Sequence, residues 1–494
     1  MDMNRREFLT QTMGLGVAAV AAQAAGTVEN PLKLGGSTPT AGAPMQGFRV
    51  APMDKVRVGF VGVGTRGASS VRRVAMIPGC EVTAVCDFFQ DRVDASVDWL
   101  VKNGYPKPAG YSGEEGWKAL CESDKVDVVY CISSWYLHAP LGLYAMKCGK
   151  HYLTDVPGVQ TVEDGWAMVE TAEKCRRHCM MLENCCYGEE ELLCHNLTAK
   201  GLLGDLVRAS CGYVHDQREI NFGPRFRVKP GEKLAWPIQW KKDHPGNQYP
   251  THGLGPVAKC LNVNRGDAFD YLVSMESAEV NMSRYLKLKH PDHPARNVKW
   301  DFGDVNLSLI RTMKGRLVFL EYDIASTRPY SRINFVNGTR GAFRSFPDLR
   351  IALAAGEGEP AHAWFDERRT AEIRRRHVHP LWKSLGELGK KVGGHGGMDF
   401  VMDLRWAYCL QNGLPLDTDV YDLAMWSALE EITERSVRSG SQPQKIPDFT
   451  RGGWKTGKPF EIVDCDVAKF HGRFGKIQED DNAKKTMKAE DFGV

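Results

Sequence analysis

From Val56 onward, short apolar runs alternate with longer amphipathic stretches. Residues 56–61, 81–86, 126–132, 151–154 and 180–184 have the dense apolar and β-branched character of buried strands. Between them, residues 68–77, 117–121, 138–147 and about 161–178 read as helices. Pro78-Gly79 ends the first of these, Gly149 the third, and Thr161 with Asp164 caps the fourth. Such alternation predicts a parallel sheet with helices on its faces. After Tyr187 the texture changes. A helix over 189–200 precedes strand-like runs at 206–214, 269–275, 305–312 and 317–322. Residues 333–336 lead into Asn337-Gly338, the signature of a strand entering a turn. Helical stretches at 399–411 and 420–439 close the pattern. Residues 218–250 show no period and are rich in Pro, Lys and Trp, a length that marks a functional or disordered loop.

The segment from Val56 to Asp87 gives the first half its chemistry. Gly62-Val63-Gly64-Thr65-Arg66-Gly67 follows the first strand directly and opens a helix. Gly62 permits the tight turn, Gly64 lets backbone approach a pyrophosphate, and Gly67 lets helix pack on strand. Phosphates would sit at the helix N-terminus, where free N–H groups and the helix dipole favour anions. Asp87 ends the second strand and is placed to accept from a ribose diol, which favours NAD over NADP. The fold class is therefore α/β: a Rossmann dinucleotide-binding domain, then an α+β domain with an open, mainly antiparallel sheet. The expected boundaries are 54–187 for the first and 188–465 for the second, with a linker at 26–53 and a charged tail at 466–494.

The chain's 494 residues carry a net charge of +3 with no basic stripe, which argues against nucleic acid as a partner. Residues 1–25 contain Asn4-Arg5-Arg6-Glu7-Phe8-Leu9 and a short Gly/Ala-rich apolar stretch, the pattern of a twin-arginine export signal. That stretch is too short for a lasting membrane anchor, so a periplasmic or otherwise exported protein is expected, with the twin-arginine machinery as a partner. The 14 cysteines lack Cys-x-x-Cys spacing and mostly fall in apolar segments, so they read as small buried hydrophobes and no metal site is expected. An exported dinucleotide fold implies a tightly held cofactor, because twin-arginine export moves folded proteins and free NAD is scarce outside the cytoplasm.

Asp155-Val156-Pro157 stands where sugar dehydrogenases of the glucose-fructose oxidoreductase and inositol dehydrogenase class place Glu-Lys-Pro. Val156 transfers no proton, so either the protein is catalytically dead or another group does the acid–base work. Tyr249 and His252, in Tyr249-Pro250-Thr251-His252-Gly253-Leu254-Gly255-Pro256, suit either two proton-handling side chains on a rigid loop or a structural histidine that caps a following helix. His395 sits among glycines and suits either a substrate-covering loop or a simple turn. Trp236 and Trp240 suit either sugar stacking or local packing.

The Tyr249–Pro256 string resembles the signature of glycoside hydrolase family 109. So do Glu183-Asn184 with Tyr187, Arg328-Pro329-Tyr330-Ser331-Arg332, Gly394-His395-Gly396-Gly397-Met398-Asp399 and Pro447-Asp448-Phe449-Thr450-Arg451-Gly452. The resemblance spans about residues 53–454. It implies an NAD-dependent glycosidase, typified by α-N-acetylgalactosaminidase activity. By the same resemblance NAD is contacted by Thr65, Arg66, Asp87, the Trp135-to-His138 stretch, Asp155-Val156, Asn184 and Tyr249. Tyr213, Tyr249, Pro250, Thr251, His252 and Tyr330 match sugar-contacting positions. The implied cycle oxidises C3 of the sugar, eliminates the C1 oxygen after loss of the C2 proton, adds water and returns the hydride. His252, Tyr187 and Tyr249 are the expected catalytic residues. Asp155 stands where the family has Glu, and Pro237 where it has a substrate-holding arginine. A plain NAD-dependent sugar dehydrogenase, or an inactive sugar- or cofactor-binding homologue, would share the fold. Pairing of the open sheet into a homo-oligomer is expected by analogy of fold.

Overall fold

The computed structural model describes residues 42–469, apart from 224 and 357. The expected export signal, most of the linker and most of the charged tail lie outside the described residues. Six parallel strands form the first sheet: β1 (Val56–Val61), β2 (Cys80–Asp87), β3 (Ala109–Ser112), β4 (Val128–Cys131), β5 (His151–Thr154) and β6 (Cys179–Met181). Their order is β3-β2-β1-β4-β5-β6, so the chain changes direction across the sheet between β1 and β4. A crevice at the carboxyl ends of these two strands follows from that reversal. β3 carries no apolar signal: three of its four residues are exposed at the sheet edge, so the pattern of hydrophobic residues does not show it.

Local chemistry sets most boundaries. Thr161 accepts from the backbone N–H of Asp164 and starts the helix Val162–Cys175. The helix expected from His138 begins earlier, at Trp135, and runs to Lys147 with Pro140 inside it. Pro140 lacks the N–H that would bond one turn back, but the buried Leu141, Ala145 and Met146 hold the helix on the sheet. The expected linker also departs from its reading. Met45 is buried, Gln46 Nε2 donates to Asn264 O at 2.6 Å, and the Met53 N–H bonds to Leu410 O. Residues 42–53 are therefore packed chain.

The second sheet has eight strands: β7 (Leu206–Val214), β8 (Phe269–Glu276), β9 (Val305–Thr312), β10 (Leu317–Asp323), β11 (Phe335–Gly338), β12 (Gly341–Arg344), β13 (Arg350–Leu353) and β14 (Gln444–Lys445). In the order β13-β12-β11-β7-β10-β9-β8-β14, only β7 and β10 run parallel. The turn expected at Asn337-Gly338 lies instead inside β11. Ile333 and Asn334, expected in the strand, are left-handed at φ 64° and 40°, so pairing starts two residues later. The helix Glu367–His377 escapes the sequence pattern because Thr370 is its one buried residue. In contrast, the helix Met398–Gln411 is buried on every side; its Asp399, Asp403 and Arg405 face partners within the protein. All 14 cysteines are free thiols. Among the described residues no helix is long and apolar enough to cross a membrane.

Candidate active site

A cleft of about 350 Å³ opens between the carboxyl edge of the first sheet and the face of the second. Its first wall is the glycine loop. Gly62 has φ 88°, and a Cβ there would lie 2.3 Å from Ile132 O. A Cβ on Gly67 would lie 1.8 Å from Gly62 O, so both positions exclude any side chain. The helix Thr65–Ala75 starts at Gly64 with no side-chain cap. Its first N–H groups thus remain open to a phosphate. Asp87 Oδ2 accepts from Val63 N at 2.9 Å and Oδ1 from Phe89 N at 3.0 Å, which leaves lone pairs for ribose hydroxyls. This cradle fits NAD.

Polar groups brace the nicotinamide end. Arg66 binds Asp155 through two contacts, Nε–Oδ2 at 2.7 Å and Nη2–Oδ1 at 3.0 Å. His138 is buried, with Nδ1 2.7 Å from Pro157 O and Nε2 3.1 Å from Ser133 O. It clamps the two strand-end loops together, and burial lowers its tendency to charge. Val156 lines the cleft between them. Asn184, matched to an NAD contact by resemblance, is fully buried, and Nδ2 donates to Asp399 Oδ1 at 2.5 Å. Its role here is to hold Asp399, which also meets His395 Nδ1 at 2.9 Å and lies 3.7 Å from Arg66 and Arg73. Burial pushes the Asp399 carboxyl up, but these cations outweigh it and hold it well below the usual range. His395 lines the cleft at φ 48°, with its side chain more than half exposed.

The opposite wall comes from the buried helix Thr251–Leu261 and from β7. Gly253 packs so tightly that its Cβ would lie 2.4 Å from Gly212 N. This seats the helix on the sheet and turns His252 toward the end of β6. His252 Nδ1 lies 2.8 Å from Glu183 Oε1, and Nε2 lies 3.4 Å from the Tyr249 hydroxyl. Burial pushes the Glu183 carboxyl up, and the His252 ring beside it brings it below the usual range. Tyr249 stacks against Trp135 at 5.6 Å and packs on Tyr213 at 4.7 Å. Its phenol is held well above the ordinary value by burial. Glu183, Cys185 and His252 bring three potential ligand atoms within 4.8 Å of one another. Burial holds the Cys185 thiol protonated, however, and Glu183 Oε1 is committed to His252.

Not every expected residue reaches the cleft. Tyr187 is a correction: it is buried, its hydroxyl donates to Asp417 Oδ2 at 3.1 Å, and it does not line the cleft. Pro250 is the N-cap and Thr251 the first residue of the helix Thr251–Leu261, and neither lines the cleft. Tyr330 stands beyond Tyr213 and His215, with Arg332 Nη1 donating to its hydroxyl at 2.9 Å. Trp236 lines the cleft, edge-on to Trp135 at 5.2 Å. Trp240 instead anchors locally, donating to Glu430 Oε1 at 2.7 Å.

Three features were missed from sequence. Glu183 falls inside a matched motif that does not by itself indicate its role; its signal is its place just past a Rossmann strand end, in the ligand-binding zone. Lys241 lines the cleft from the last turn of the helix Trp236–Lys241. Residues 225–229 cross from the second domain to the rim of the first. Arg227 pairs with Asp91 at 2.7 Å and lies 3.8 Å from the Phe89 ring centre, while Lys229 lies 4.6 Å from that of Phe88. No local pattern in the irregular 218–250 stretch marks these contacts.

The comparisons agree with this architecture. Residues 56–183 match the oxidoreductase family with an NAD-binding Rossmann fold, and residues 187–456 match the glycosyl hydrolase 109 C-terminal domain. The chain is 41% identical over 472 residues to an alpha-N-acetylgalactosaminidase of Shewanella oneidensis, covering 94% of this chain and 99% of that one. It is 41% identical over 410 residues to the alpha-N-acetylgalactosaminidase of Bacteroides fragilis, covering 83% and 95%. Among solved structures, a levoglucosan dehydrogenase in complex with NADH and levoglucosan has a TM-score of 0.59 at 16% identity, covering 80% of this chain and 100% of that one. That likeness shows the shared fold, whereas the sequence relatives and the matched C-terminal half show the family. With its NAD-binding cradle facing the His252–Tyr249 wall, this chain belongs to glycosyl hydrolase family 109.

Proposed function

We propose that the chain hydrolyses α-N-acetylgalactosaminides or related glycosides with a resident NAD, and that His252 and Tyr249 move the protons. The observation that carries this reading is the Glu183–His252–Tyr249 chain facing an NAD cradle whose strand end bears Val156. When bound, NAD supplies a hydride acceptor that is restored within each cycle, so no cosubstrate is consumed. Glu183 engages Nδ1 of His252 and leaves Nε2 as the nitrogen turned to the cleft. Nε2 accepts a proton from the substrate side, and the Tyr249 hydroxyl 3.4 Å away relays it. The raised phenol of Tyr249 makes it a donor and relay, not a base. Arg66 and Asp155 brace the loops at the strand ends beside the cradle, and the strap at 225–229 supports slow cofactor loss.

The substrate assignment rests on the two relatives named alpha-N-acetylgalactosaminidase. Asp155 for Glu and Pro237 for arginine favour a shifted preference among related glycosides, since Pro237 lines the cleft without a donor. The Arg5-Arg6 motif supports export of the folded, NAD-loaded protein to the periplasm. The outer face of the second sheet supports self-association. β9 buries Asn306 and Ser308 while turning Leu307 and Leu309 outward, beside exposed Met275 and Leu317. An inverted strand of this kind marks an interface.

The test is to incubate purified protein with aryl glycosides while following aglycone release and NADH absorbance together. Release without net NADH is expected. NADH accumulating with product would make it a dehydrogenase, and silence in both channels would make it a binding protein.

A further inference from the structure

Lys241 is a buried lysine that makes no direct ion pair among the described residues. The helix Trp236–Lys241 buries Ile238 against the second domain and ends with the Lys241 stem buried and its Nζ at the cleft. The residue is 5% exposed. An ammonium has three donors, and among the described residues Nζ has one hydrogen-bond partner, the Tyr322 hydroxyl at 3.4 Å. The ring centre of Trp135 lies 4.9 Å away. Glu430 is the nearby acid; its Oε1 takes the Trp240 N–H at 2.7 Å, its buried Oε2 has no hydrogen-bond partner among the described residues, and burial pushes its carboxyl well up, towards the neutral form. Burial pushes the Lys241 ammonium down to about 8, with the Glu430 charge offsetting only part of this. Desolvating a charge without a partner destabilises a fold, and such groups cluster where a ligand completes them.

The position separates sugar from cofactor. The phosphate cradle lies at Gly62–Gly67, just after β1, whereas Nζ rests on Tyr322 of β10 in the other sheet. Pro237, one turn earlier on the same helix, offers no donor, so Lys241 supplies this helix's charge to the cleft. We propose that Lys241 is a substrate-binding residue, donating its two unmatched N–H groups to ring-substituent oxygens of the bound sugar. This rests on the reading of the cleft as a glycoside site.

Lys241→Met keeps the stem and removes the charge, and Lys241→Arg restores a cation. Tryptophan fluorescence of the NAD-loaded protein is titrated with N-acetylgalactosamine, galactose, glucose and glucuronic acid. Wild type is expected to bind at least one, and Lys241→Met to weaken the tightest by about 10- to 100-fold, the weight of a charge-assisted hydrogen bond. Lys241→Arg regains part of that loss, while bound NAD per chain stays at the wild-type value and the melting temperature of Lys241→Met does not fall, since it sheds an unpaired buried charge. In turnover, KM rises with kcat kept, as for binding shared by ground and transition states. Unchanged sugar affinity in Lys241→Met, no binding of any of the four by wild type, or parallel loss of NAD would overturn the assignment. If affinity falls but wild type cleaves no aryl glycoside, the glycosidase reading fails and the Lys241 assignment stands. If Lys241→Met cleaves with a wild-type KM, the reverse holds.

Discussion

Glu183→Gln tests the proton chain at its least exposed member. Glu183 is 1% exposed, and its Oε1 receives the Cys185 N–H at 3.1 Å and faces His252 Nδ1 at 2.8 Å. Glutamine keeps the shape and loses the charge. Downgrading one buried charge-assisted hydrogen bond to a neutral one removes about 2 kcal/mol, or roughly thirtyfold in kcat if all of it is expressed in the transition state. Turnover is measured on the best aryl glycoside, with bound NAD assayed on the same sample to show the cradle intact. Because Glu183 acts through His252, Glu183→Gln added to His252→Ala should cost almost nothing more. Acid stability provides a second readout. The carboxyl is lowered on folding, so its contribution is present above the unfolded value of ~4.3 and is lost as pH falls through the folded one. The melting-temperature gap between wild type and Glu183→Gln should therefore close on the acid side of that value. Turnover within twofold of wild type at full NAD content, or additive losses in the double variant, would refute the reasoning.

Other predictions follow from single contacts. Gly67→Ala places a Cβ 1.8 Å from Gly62 O, so NAD extracted per purified chain should fall by about tenfold or more, because the phosphate loop must open. Arg227→Ala removes an exposed ion pair and a ring contact; NAD release, followed by dilution and trapping, should quicken by a few-fold, as surface contacts are individually weak. Tyr187→Phe should cost about 1 kcal/mol in denaturant melts while leaving kcat within about twofold, since its hydroxyl serves Asp417. Leu309→Asp on the outer face of β9 should shift the protein to monomer in sedimentation without changing turnover per chain.

Much of the first domain was legible because its signals are local. Strand periodicity, the Gly62–Gly67 turn and the Asp87 strand end each lie within a few residues, whereas the strand order, with β3 at the edge, emerged only from the structure. His252 and Tyr249 were legible for the same reason, lying three apart on one loop. Tyr187 misled because a titratable side chain inside a matched motif carries no information about its direction. Only packing of the helix Met398–Gln411 turned it to Asp417. Lys241 was invisible in a stretch where lysine is common, since its isolation depends on Tyr322 and Trp135, residues 81 and 106 positions away.

The sequence alone therefore determined most elements of the first domain and the cofactor loop, because these rest on spacing along the chain, and the family through the resemblance of its matched strings. The tertiary structure decided the active wall itself. Glu183 meets His252 across 69 positions, Asn184 meets Asp399 across 215, and residues 225–229 cross onto the Rossmann rim. Such long-range meetings are fixed by how two sheets and a buried helix share one core, and no local periodicity encodes them.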